Sequence, residues 1–182
     1  MKTLVVGLGN PILGDDGVGW KVAEEVKRRF ASPAPSSPGR GTAPGFPAEA
    51  AYADFREKPG EGEQDSVEIK FLSVGGISLM EHLIGYERAI LIDAIANDLE
   101  PGTVIASKLH EMPDASAFHI TSAHDTSLQN ALKLGEAMGA DLPEQITVVG
   151  IAAKRVFDFG EELSPPVAQA ISKAVQIVIN LL

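Results

Sequence analysis

The chain has 182 residues, a length that fits one domain with a full hydrophobic core. Its hydrophobic share of 45% and charged share of 22% are ordinary for a globular protein in water, and no apolar run approaches the roughly 20 residues of a membrane span. With 25 acidic against 15 basic residues the net charge is −10, which repels phosphate backbones and argues against nucleic-acid partners. The absence of cysteine excludes disulfides, a cysteine nucleophile, thiolate metal sites and iron–sulfur ligation.

Met1 to Gly7 lacks the long apolar stretch and small-residue cleavage site of a signal peptide, so the expected location is cytoplasmic. Leu4 to Leu8 reads instead as a buried parallel strand stopped by Gly9. From Asp16 the period turns helical, with Val18, Val22, Val26 and Phe30 on one face and Lys21, Glu24, Glu25, Lys27 and Arg28 mostly on the other. Ala31 to Ser66 holds half of the chain's 12 prolines and carries no apolar period. Such a stretch cannot easily repay its ordering entropy, so it is expected to be a mobile surface loop inserted into a single domain spanning 1–182. Limited proteolysis should therefore cut first between Ala31 and Ser66, mapped by mass spectrometry of the fragments.

Val67 to Val74 reads as a second strand and Ile77 to about Ile84 as a short helix. Arg88 to Ile95 is a third strand, apolar from Ala89 to Ile92 and then carrying Asp93. Pro101-Gly102 marks a turn before an edge strand, Thr103 to Leu109. Thr121 or Ser122 is expected to open a helix with Leu128, Ala131, Leu132, Gly135 and Met138 on one face. Gln145 to Ile151 is a fifth strand. Leu163 to Leu182 is a terminal helix with Pro165 and Pro166 in its first turn and Val167, Ile171, Ala174, Val175 and Val178 inward. Strands alternating with helices imply right-handed crossovers and a three-layer α/β/α sandwich around a mostly parallel five-stranded sheet with one antiparallel edge strand.

In such a sheet, ligands bind beyond the carboxyl ends of the strands where strand order reverses. Three polar residues stand out at that rim: Asp16 after the first strand, Asp93 closing the third, and His124 at the start of the helix after the edge strand. Two carboxylates and an imidazole suit a divalent metal such as nickel or zinc with positions left open. Taken singly, each also has a structural reading. Asp16 can be a helix cap, Asp93 can hold a loop by a hydrogen bond, and His124 can be a surface histidine at a helix start. His82, His110 and His119 show no ligand spacing.

Gly7-Leu8-Gly9-Asn10-Pro11 follows a strand and precedes a helix, as a dinucleotide fingerprint does. Its third glycine would fall at Ile12, Pro11 removes a backbone donor, and no acidic residue closes a second strand about 20 residues on. The glycines are read as room for backbone to approach whatever occupies the crevice.

Gly7 to Gly19, as Gly-Leu-Gly-Asn-Pro-Ile-Leu-Gly-Asp-Asp-Gly-Val-Gly, resembles the N-terminal signature of the hydrogenase maturation endopeptidases. Leu91-Ile92-Asp93-Ala94-Ile95 is similar to their central strand, Ser122 to Leu128 to their histidine motif, and Val148 to Ile151 to their last strand. Gly75-Gly76 with Leu79-Met80 matches their second-strand exit. The resemblance covers everything except Ala31 to Ser66. It implies cleavage of the nickel-iron hydrogenase large-subunit precursor near its C-terminus after nickel insertion. It also implies that Asp16, Asp93 and His124 are the metal-binding residues that determine activity. The nickel would come with the substrate, and other divalent metals can substitute. Two rivals remain. A nickel-sensing chaperone of the large subunit would keep the same triad without hydrolysis. The peptidyl-tRNA hydrolases share a similar start, but they need a histidine–asparagine pair soon after, and the first histidine here is His82.

Overall fold

The computed structural model describes residues 1–31, 65–96, 98–112, 127–154 and 159–182. Five strands form one sheet: β1 (Lys2–Leu8), β2 (Ser66–Leu72), β3 (Arg88–Ile95), β4 (Val104–Lys108) and β5 (Gln145–Ala152). Their order is β2-β1-β3-β5-β4, parallel throughout except for β4, which runs antiparallel along the outer edge of β5. Four helices cover the sheet: α1 (Val18–Ala31), α2 (Gly76–Leu83), α3 (Leu128–Ala137) and α4 (Pro165–Leu181).

The continuous apolar runs of the central strands have partners on both sides. Val5, Ile90, Ile92, Val149 and Ile151 face α1 and α4, meeting Val18, Val22, Val26, Val167, Ala174, Val175 and Val178. Leu4, Val6, Leu8, Leu91 and Val148 point the other way, toward Leu79 and Leu83 of α2 and Leu128 and Leu132 of α3. Burial on both faces is why these strands are unbroken and not alternating. Among the described residues, no helix is long and apolar enough to cross a membrane.

The crossover through α1 carries the chain from β1 to β2 on one side, and the crossover through α2 brings it back past β1 to β3. Strand order therefore reverses between β1 and β3, and their carboxyl ends bound a crevice.

Some boundaries differ from the sequence reading. β2 stops at Leu72, two residues short of Val74, and the next residue, Ser73, donates its hydroxyl to the Gly9 carbonyl at 2.7 Å. Thr121 and Ser122, where the sequence reading opened a helix, lie outside the described residues. Ser127 is extended, and its hydroxyl accepts from the Asn130 amide, so the helix begins at Leu128. Both apolar stripes also outrun the surface that covers them: Phe30 is 52% exposed and Met138 is 77% exposed. Of the Pro/Gly-rich insert, residues 32–64 lie outside the described residues; Ala31 closes α1 and Ser66 opens β2.

Candidate active site at the carboxyl rim of the sheet

The Gly-rich segment after β1 is built for contact with its own chain. A Cβ on Gly19 would stand 2.3 Å from the carbonyl oxygens of both Leu8 and Ile92, so the first turn of α1 rests directly on β1 and β3. Gly9, at φ +110°, would place a Cβ 1.8 Å from the Asp16 carbonyl oxygen. The glycines thus make room for the protein's own backbone, where the sequence reading expected a ligand. The close approach folds Gly14–Gly17 into a 3-10 turn that packs on β3.

Asp16 sits in that turn and is only half-buried. One of its oxygens, Oδ2, accepts from the Asn10 amide at 2.6 Å. It is not a cap for α1, which has its first residue at Val18. The contact fixes the carboxylate beside the end of β1.

Asp93 lies third from the end of β3, opposite Gly150 of β5 in the register. Its position alternates with Ile92 and Ala94, which face α1 and α4, so it belongs to the opposite face of the sheet, with Leu91. Only 4% of its surface is exposed. Burial pushes its carboxyl well above the usual carboxylate range, the neighbouring charge of Asp16 pushes it further, and the Ala94 amide pulls the other way. The two carboxylates predicted from strand ends thus share one electrostatic environment at the crevice between β1 and β3. That arrangement concentrates negative potential where a cation would be welcome and where a proton can be held or released.

The third predicted residue, His124, lies outside the described residues. Of the other histidines, His82 ends α2 and His110 follows β4, so both belong to the pole of the sheet away from Asp93. Among the described residues, no three His, Cys, Asp or Glu side chains gather as a ready metal cluster.

Sequence reasoning chose Asp16 for the site and assigned Asp15 no partner. Asp15 turns inward, where Oδ1 accepts from the Ser164 amide at 2.6 Å and Oδ2 accepts from the Ser164 hydroxyl at 2.7 Å. Alongside it, the Gly14 amide donates to Gly160 at 2.6 Å and the Gly160 amide donates to Ile12 at 3.0 Å. No local spacing announces a partner so far along the chain.

Comparison with known proteins shows what the chain as a whole is similar to. The family of HycI, described as hydrogenase maturation protease, matches residues 63–181, a stretch that includes Asp93 and position 124. HupD of Bradyrhizobium diazoefficiens, a hydrogenase expression/formation protein, is 25% identical over 181 residues, covering 100% of this chain and 78% of its own. HybD of Thermococcus kodakarensis, a NiFe hydrogenase maturation protease, is similar in structure with a TM-score of 0.60 and 28% identity, covering 100% of this chain and 99% of its own. HybD of E. coli, a hydrogenase maturating endopeptidase, shares the fold with a TM-score of 0.65 at 22% identity, covering 100% of this chain and 92% of its own. Matched over more than half of its length by the family's model, the chain belongs to the hydrogenase maturation protease family and is a peptidase.

Proposed function

We propose that this peptidase removes the C-terminal peptide of the nickel-iron hydrogenase large-subunit precursor once nickel has been inserted, and that Asp16, Asp93 and His124 receive that nickel. The observation that supports the reading is the pair of mutually repelling carboxylates at the crevice, one buried and one held by the Asn10 amide. Two carboxylate oxygens and one imidazole nitrogen are a donor set that suits nickel, so the residues fit the ion. Borne by the substrate, the metal would supply Lewis-acid polarisation of the scissile carbonyl or of a bound water.

The remaining steps fall to the protein's own groups. Before substrate arrives, Asp93 holds a proton more tightly than an ordinary carboxyl because of burial and Asp16. Asp16 and Asp93 would both be relieved of their repulsion by positive charge arriving with the substrate, which would lower the proton affinity of Asp93. The freed carboxylate, or Asp16, then takes a proton from the attacking water as general base. Nickel insertion becomes a checkpoint in this scheme, since the free protein lacks the charge that readies its own base.

Processing of precursor by the His124→Ala and Asp16→Ala variants tests the assignment. The expected result on a denaturing gel is accumulation of unshortened precursor with both, a rate loss of about 10²-fold or more. Normal processing by His124→Ala would remove it from the site.

A further inference from the structure

We propose that Asp15 is a positioning residue, which aims Asp16 by clamping the turn after β1 to the start of α4 through Ser164. The inference rests on the assignment of Asp16 to the site. Asp15 is 8% exposed, and both of its oxygens are taken by the one residue Ser164, through the backbone amide and the hydroxyl. Both oxygens are thus engaged within the protein, on a nearly buried side chain. Ser164 holds the N-cap position of α4, where a serine hydroxyl ordinarily accepts from the helix's own amides. Here the hydroxyl makes no such bond and donates to Asp15 instead. The normal helix-capping use of the side chain has been given up for a contact with the turn that carries Asp16.

The clamp does not act alone. The Gly14 and Gly160 amides complete a parallel bridge between Leu13 and Gly160, and the Asp16 amide donates back to Leu13 at 3.3 Å. Asp16 is therefore the residue that follows a segment tied at several points to the far end of the chain. With its backbone fixed on that side and its carboxylate held by Asn10 on the other, its position leaves little to thermal motion.

Steady-state cleavage of nickel-loaded precursor separates positioning from direct chemistry and from mere stability, with thermal melting run on each variant. Asp15→Ala should lower kcat about 10- to 100-fold while KM stays within about twofold, as expected when a catalytic group is displaced and substrate binding is kept. Asp15→Asn can still accept from the Ser164 amide and donate to its hydroxyl, so its kcat should stay within about threefold of wild type. Ser164→Ala should lose several-fold in kcat and Ser164→Thr almost nothing. Asp15→Asn as inactive as Asp15→Ala would show that the carboxylate itself is needed and overturn the proposal. So would a wild-type kcat for Asp15→Ala, or a loss confined to KM. If Asp15→Ala does not fold, the contrast of Ser164→Ala with Ser164→Thr decides, and equal kcat in those two overturns the clamp. Failure of the site itself looks different: Asp16→Ala at wild-type kcat removes Asp16 from the site, whereas Asp15→Ala at wild-type kcat beside an inactive Asp16→Ala removes only the positioning role.

Discussion

Asp93→Asn should inactivate the peptidase by about 10²- to 10⁴-fold and at the same time make the fold more stable at neutral pH. The activity loss follows from removing a buried carboxyl that, in the proposed scheme, helps to hold the metal and is one of the two candidate bases. The stability gain follows from the direction in which burial and Asp16 move that carboxyl. A raised carboxyl keeps its proton in the folded chain at pH values where the unfolded chain has already released it. Where the folded state binds more protons than the unfolded one, stability falls as pH rises. The penalty is absent below the ordinary aspartate value near pH 4. It grows as pH climbs from there through the higher value of the folded chain. Asparagine has the same shape and no charge, so it escapes the penalty. Melting curves for the two proteins should coincide in acid and separate toward neutrality. By pH 7 the variant should melt above wild type. A variant that melts below wild type at pH 7 would mean that Asp93 stabilises the fold, and its role would then be structural.

The second large effect belongs to Gly9. An alanine there must fit a Cβ 1.8 Å from the Asp16 carbonyl while adopting φ +110°, a region that side chains with a Cβ rarely enter. Backbone has to move, and the nearest backbone is that of Asp16. Gly9→Ala should cost about 3 kcal/mol or more in stability, read from denaturant midpoints, and should lose activity beyond what the unfolded fraction explains. Full activity and unchanged stability would mean that the turn accommodates a side chain and that the contact with Asp16 does not constrain it.

Most of the sheet was legible because the physics that selects it is local. Leu4 to Leu8 and Ala89 to Ile92 are unbroken apolar runs, which only strands covered on both faces can sustain. The third strand ran from Arg88 to Ile95 as read, and the shorter Val104–Lys108 took the antiparallel edge as expected. The errors arose where tertiary contacts chose between locally equal options. Thr121, Ser122 and Ser127 are all good N-caps by chemistry, and the sequence cannot rank them. Phe30 and Met138 extend an apolar period past the end of the surface that covers it.

The site divides in the same way. Asp93 was readable because a carboxyl closing an apolar strand must be paid for somehow, and strand ends mark the crevice. Adjacent Asp15 and Asp16 carry identical chemistry, so only the fold could assign one to Ser164 and the other to Asn10. The glycines were recognised as demanding space, but what fills it, the carbonyls of Asp16, Leu8 and Ile92, is set by how α1 settles on the sheet.

The central claim is that cleavage waits for the metal carried by the substrate. Purified protein should be mixed with large-subunit precursor prepared with and without nickel, and the released C-terminal peptide followed by mass spectrometry. The account predicts the peptide from the nickel-loaded precursor only. Equal release from both preparations, or none from the loaded one, would contradict it.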